Sequence, residues 1–230
     1  MKIAFTGLEL PEGKVKHEDT VFAELTRKFQ PAKVSPHYIE FLFDGYDAAG
    51  AIAIKNDRLL DLLVQDMEKL EGRLSRSEDA AETELLRKSL EHLEDEKPLC
   101  DMAADEGERT ILRHLGPLSF KPTVVFSEQP GHPSNVTQAV LDKAGMMFFY
   151  TAGPREVHAW LVEKGTDAAG CAARIHSDLA RGFIKAELVS FEDLMSAHNM
   201  QDARSKGLTR LVDREHVVPE NTVLEIRFNV

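Results

Sequence analysis

"MMFFYTAGPREVHAWLVEKGTDAAGCAARIHSDLARGFIKAELVS", residues 146–190, carries the most regular pattern in this chain of 230 residues. Two apolar runs, "MMFFYTA" and "VHAWLV", flank a turn-forming stretch with Gly153 and Pro154, the pattern of two strands in a hairpin. A helix is expected around Ala168 to His176, then the strand "FIKAELVS", and later strands at "LTRLV" and "TVLEIRFNV". Strands paired by a hairpin, then a helix and more strands, describe a compact sheet with a helix across one face. A domain boundary is placed near residue 145, dividing the chain into 1–145 and 146–230.

Working back toward the amino terminus, the texture changes. "MKIAFTG" predicts a buried first strand ending in a turn at Gly7. Val21, Phe22, Leu25 and Phe29 predict a helix over His17 to Phe29, stopped by Pro31, and "HYIEFLFDG" (37–45) a second strand. Between 56 and 97, Leu60, Leu63, Met67, Leu70 and Leu74 step by three and four, and Leu86, Leu90 and Leu93 repeat the rhythm after a polar break. Two amphipathic helices folding back as an antiparallel hairpin are expected, with "EHLEDEK" on its solvated face. A helix over Asp105 to Leu115, a strand at "FKPTVVF" and a helix over 133–145, capped by Ser134 and closed by Gly145, complete an α/β pattern. The fold class is therefore α+β/α/β.

Apolar residues make up 43% of the chain and charged residues 29%, which excludes a mostly disordered or fibrous protein. The net charge of −11 excludes non-specific binding of nucleic acid by charge alone, so any RNA contact needs a local patch. Cys100 and Cys171 stand far apart in no CxxC setting, which predicts structural thiols in a reducing compartment and no zinc site. No targeting stretch and no apolar segment of about 20 residues is visible, so a cytoplasmic protein with neither membrane nor DNA partner is expected.

About the last third of the chain resembles the TGS domain, a ubiquitin-like β-grasp fold, of the Obg-like ATPase family also called YchF. The resemblance rests on "TAGP", "AW", "KGT", "IHSD", "GFIKAE" and "RFNV". The hairpin is similar to the coiled coil that this family inserts into its nucleotide-binding domain. "FAELTRKFQPAKVSPHYIEFLFDG" is similar to the helix and strand before the family's second nucleotide motif. The resemblance implies a P-loop-type α/β domain, a helical-hairpin insertion and a TGS domain, and association with the translation machinery.

Where the nucleotide motifs belong, the residues depart from what the chemistry needs. A P-loop has four residues between its first glycine and Gly-Lys-Ser/Thr, so that amides wrap the β-phosphate and a hydroxyl meets Mg²⁺. In "TGLELPEGKVK" (6–16), five residues separate Gly7 from Gly13, Pro11 removes a donor, Glu9 and Glu12 add carboxylates, and Val15 takes the hydroxyl position. The helix that should open after this loop is missing, and with it much of the anion site. Aligned on "IEF", the metal-positioning aspartate falls at Phe43, and Asp44 and Gly45 make no DxxG. After "FKPTVVF" the base-reading positions hold Glu128 and Gly131. A truncated, degenerate nucleotide-binding domain is expected, with no catalytic residues and no cofactor.

Some candidates survive. Gly7, Gly13 and Lys14 are the residues left to hold phosphates if ATP or GTP with Mg²⁺ still binds, with Asp44 or Asp47 as a weak metal candidate. Arg174, Arg181 and Lys185 around the "IHSD" and "GFIK" segments could form a basic patch for a ribosome or another RNA–protein complex. A third possibility is an interaction scaffold that docks a partner helix along the Leu60 to Leu74 stripe. No GxSxG, HExxH or paired Cys–His arrangement adds another chemistry. The expected function is binding or regulation without hydrolysis; residual nucleotide binding or weak ATPase activity is the alternative. Oligomeric state is left open.

Overall fold

The structure, a computed structural model, describes residues 1–229. Along the chain run β1 (Lys2–Thr6), β2 (Gly13–Lys16), α1 (Thr20–Phe29), β3 (Lys33–Ser35), β4 (Tyr38–Phe43) and β5 (Ala51–Lys55). Then follow α2 (Asn56–Leu74), α3 (Ala80–Glu94), α4 (Glu106–Leu115), β6 (Thr123–Phe126), α5 (Pro133–Lys143), β7 (Met146–Ala152) and β8 (Glu156–Glu163). The chain ends with α6 (Ala168–Ile175), α7 (Ser177–Arg181), β9 (Phe183–Ser190), α8 (Phe191–Ser196), α9 (Met200–Ser205), β10 (Arg210–Val212) and β11 (Thr222–Phe228).

These elements form two compact units: Met1–Val15 with Ile39–Ala144, and Lys16–Tyr38 with the chain from Gly145 onward. A single cut near 145 does not describe this division. β3 pairs in parallel with β8, and Lys28 of α1 donates to the Ala197 carbonyl at 2.6 Å, so residues 16–38 complete the second unit.

The first unit is built on a sheet of order β2-β4-β1-β5-β6, in which β4, β1, β5 and β6 run parallel. Strand alternation sorts its two faces. Ile3, Phe5, Phe41, Ala51 and Ala53 share one core with Val136 and Val140 of α5, while Ala4, Ile52 and Ile54 share the other with α2, α3 and α4. β5 was not anticipated. "AIAIK" is buried on both faces and so lacks polar alternation, and it passes into α2 without a turn.

α2 and α3 pack together across the connection 75–79, with Arg73 bidentate on Glu82 at 2.9 Å beside the turn. The inward stripe of α2 is Leu59, Leu62, Leu63, Asp66 and Leu70, whereas Leu60 is 52% exposed. The stripe expected from Leu60 is therefore out of phase at its start. A buried carboxylate hides the true phase from a hydrophobic pattern: Asp66 accepts the Leu118 and Ser119 amides at 2.6 and 2.7 Å. Ser134 does not cap α5; His132 does, and Pro133 takes the first helical position.

The second unit holds a sheet of order β10-β9-β11-β7-β8-β3. β7 and β8 are antiparallel, β11 runs parallel to β7, and β9 is antiparallel to both β11 and β10. α6, rich in small residues and capped by Asp167, packs through Ala168 and Cys171 on Met147, Phe149, Ala186 and Leu188. On the sequence-adjacent, opposite-facing positions lies Tyr150, whose hydroxyl donates to Asp19, the cap of α1, at 2.7 Å.

Glu187 also faces this side and is 2% exposed. Arg204 donates to it twice, at 2.8 and 2.6 Å, and Arg227 once, at 2.8 Å. Hydrogen bonds from Arg204 first, then Thr209 and Arg227, hold its carboxyl at about 2 against the effect of burial. Cys171 is buried and Cys100 half-buried, both as free thiols, and burial pushes the Cys171 thiol up to about 12.

Candidate functional site

At the carboxyl ends of β1 and β4 a cleft of about 570 Å³ opens in the first unit, lined by Thr6, Gly7, Asp44, Tyr46, Arg58 and Asp61 among others. Its place follows from topology. The chain leaves β1 toward β4 on one side and returns to β5 on the other, and in open parallel sheets ligands gather where the strand order reverses.

The cleft floor is a small polar network. Thr6 Oγ1 donates to Asp44 Oδ1 at 2.5 Å and lies 2.5 Å from Tyr46 Oη. Asp44 adopts a left-handed backbone (φ 49°), with its amide on the Phe5 carbonyl at 3.1 Å and its carbonyl accepting the Tyr46 amide at 3.0 Å. Burial, to which the nearby Asp44 carboxylate adds, pushes the Tyr46 phenol up, so it remains a neutral donor. The wall on the α2 side carries Arg58, 3.8 Å from Asp61, and Lys55 pairs with Asp57 at 3.2 Å.

The three phosphate candidates do not converge. Gly7 (φ 72°) ends β1 at the cleft, and a Cβ there would stand 2.9 Å from both Arg58 Cγ and Lys55 Cβ. The glycine thus permits a close approach to the start of α2. Gly13 and Lys14 belong to β2 at the sheet edge, and Lys14 is exposed. Between them Leu8 is buried in the core beside Val136, and two of the loop amides, those of Glu9 and Leu10, have partners within the protein. Glu9 N–H donates to Gln129 Oε1 at 2.9 Å, Gln129 Nε2 donates to the Gly7 carbonyl at 3.0 Å, and Leu10 N–H reaches the Leu8 carbonyl at 3.1 Å. Sequence reasoning missed Gln129. It lies between Glu128 and Gly131, the two positions inspected for base reading, and an isolated glutamine carries no spacing signal.

Asp44 reaches the cleft through its hydrogen bond to Thr6, whereas Asp47 is not among the cleft-lining residues. Among the described residues no three His, Cys, Asp or Glu side chains converge as a metal-binding group.

The three basic candidates divide between the faces of the second sheet. Arg174 on α6 donates to the Leu161 carbonyl at 3.1 Å, and Arg181 on α7 pairs with Asp178 at 2.9 Å. Lys185 alternates with Ala186, which packs under α6, so it points away from α6 and is paired with Asp213. Among the described residues no helix is long and apolar enough to cross a membrane.

Residues 146–229 match the YchF-GTPase C-terminal family, described as a protein of unknown function (DUF933). The chain is 29% identical over 237 residues to the ribosome-binding ATPase YchF of Bacillus subtilis, covering 74% of this chain and 65% of that protein. It is 37% identical over 97 residues to the protein of the same name from Mycoplasma genitalium, and 36% over 104 residues to human Obg-like ATPase 1, spanning 26% of each. The solved structure of the Schizosaccharomyces pombe YchF GTPase superposes with a TM-score of 0.80 at 15% identity, over 99% of this chain and 97% of that one, which speaks for the fold. The chain is thus similar to YchF and Obg-like ATPases, with the family model matching residues 146–229 and the chain spanning less than two thirds of these curated relatives.

Proposed function

We propose that this chain is a non-hydrolytic binding or regulatory relative of YchF that associates with ribosomes or another RNA–protein complex. The observation that carries the proposal is the loop after β1. It leads into an edge strand instead of a helix, and its Glu9 and Leu10 amides are engaged by Gln129 and the Leu8 carbonyl. A phosphate there would meet the carboxylates of Glu9 and Glu12 in place of free donors. The same feature supports a truncated, degenerate nucleotide domain.

A TGS-type β-grasp assignment for residues 146–229 is supported by the central parallel pair β7–β11 between two antiparallel pairs, with α6 across one face. An inserted coiled-coil hairpin is supported by the packed α2–α3 pair. The names of the Bacillus and Mycoplasma relatives support the ribosome as partner and the cytoplasm as location. With a net charge of −11, such binding is directed by shape or by protein contacts.

Two measurements test the proposal. Labelled ATP and GTP, with and without Mg²⁺, are expected to show no saturation at millimolar nucleotide. Ribosomal particles are expected to co-sediment the protein at low salt, and absence of enrichment overturns the partner assignment. The second reading, residual nucleotide binding through Gly7, Gly13 and Lys14 with Mg²⁺ on Asp44, is favoured by one feature, the Thr6–Asp44–Tyr46 network in the cleft. It requires micromolar binding that Lys14→Ala abolishes.

A further inference from the structure

The sheet of the second unit is open between two of its own neighbours. β11 pairs with β9 from Thr222 to Phe228, but with β7 at Val223–Tyr150 alone. β7 runs on unpaired with β11 to Ala152 and then turns into its hairpin, where the Gly153 amide donates to the Glu156 carbonyl at 3.0 Å. β11 continues to Phe228, and the next amide, of Asn229, is fastened to the Gly182 carbonyl at 2.9 Å. The diverging strands leave a slot of about 660 Å³, walled by Ile175 and Leu179 from α6 and α7, by Met200 of α9, and by Ile226 and Phe228 of β11.

Two features specify what fits. Beyond Val223 no residue of β11 is paired with β7 among the described residues, and β7 itself ends at Ala152, so the main-chain groups on that edge of β11 are suited by another extended strand. At the mouth stands Arg155, exposed and in no ion pair among the described residues, while Glu156 beside it is engaged by Lys33 and Ser35. The free charge at the rim is positive although the whole chain carries −11, so the complement is a carboxylate.

We propose that the slot between β7 and β11 takes an extended, apolar-alternating segment of a partner protein bearing an acidic side chain, added as a strand along β11 with the acid on Arg155. Backbone pairing supplies affinity, and the pockets around Ile226 and Phe228 select alternate side chains. The inference is independent of any ribosome association.

The probe is a synthetic octapeptide alternating valine and threonine, with aspartate next to its carboxyl end, followed by calorimetry and backbone-amide NMR on the full chain. Saturable binding is expected, with slowed hydrogen exchange among Leu224 to Phe228. Gly153→Leu blocks the slot in a folded protein, because a Cβ at Gly153 meets nothing within 4 Å and its φ is not left-handed. It is expected to weaken binding by about 10-fold or more. Arg155→Glu should weaken the aspartate peptide and strengthen its lysine counterpart. No saturation at millimolar peptide, or equal binding by Gly153→Leu, overturns the proposal. So does a slot occupied by a second copy of the chain, seen as a dimer that Gly153→Leu dissociates.

Discussion

Replacing Glu187 by glutamine tests whether its ion network, the physical content of the "GFIKAE" stretch, governs the stability of the second unit. The carboxylate is 2% exposed and accepts three guanidinium hydrogen bonds, with its carboxyl held at about 2 against an ordinary value of 4.5. A depressed carboxyl contributes stability above the unfolded value and loses it as pH falls from 4.5 toward 2. The separation corresponds to about 3 kcal/mol. Arg204 and Arg227 are 38% and 47% exposed, which lowers the expectation to about 2 kcal/mol. Glu187→Gln keeps the volume but turns an amide N–H₂ toward two cations, so a loss of about 2 kcal/mol at pH 7 is expected.

Trp160, the sole tryptophan, lies in the second unit, so its fluorescence follows that unit without assuming that the chain unfolds in one step. Urea midpoints are measured at pH 7 and pH 3. The wild type should lose stability at the lower pH and the variant much less. A variant within about 0.5 kcal/mol of wild type at pH 7, or one that retains the wild-type acid dependence, would refute the reasoning.

Three further outcomes follow from the same physics. Asp66→Ala leaves the buried amides of Leu118 and Ser119 without an acceptor and should cost the first unit about 2–4 kcal/mol, with Asp66→Asn less damaging, in urea melts followed by far-ultraviolet dichroism. Gly7→Ala introduces a Cβ at 2.9 Å from Arg58 and Lys55 in a left-handed residue and should cost about 1–3 kcal/mol in the same melts; a neutral result would remove the close-approach argument. Burial, with neighbouring cationic groups including His17 and Arg174, lowers His37 to about 4, so its contribution is complete above 6.5 and is lost between 6.5 and 4. His37→Gln should flatten the Trp160-monitored stability profile in that window and leave the Glu187 window below 4.5 unchanged.

The second unit was largely legible because its signals are local. "MMFFYTA" and "FIKAELVS" alternate about turn residues, and those strands appear over the residues expected. Failures came where a residue's role depends on a distant partner. "AIAIK" could not declare itself as a strand because helices cover both of its faces, and the α2 stripe was misphased because Asp66 serves amides 52 and 53 residues away. The proposed basic patch divided for a related reason. Sequence proximity puts Arg181 and Lys185 side by side, but one lies on a helix over the sheet and the other on the opposite face.

By itself the sequence determined the order and type of most elements, the departure of "TGLELPEGKVK" from a phosphate loop, and the resemblance carried by residues 146–229. Those follow from hydrophobic period, turn chemistry and residue spacing, which act over a few residues. Tertiary structure alone decided that residues 16–38 complete the second unit, that Gln129 occupies the loop of the first, and that β7 and β11 part to leave a slot. Each depends on groups between 73 and 123 residues apart in the chain, brought together by strand pairing and side-chain hydrogen bonds that no local pattern encodes.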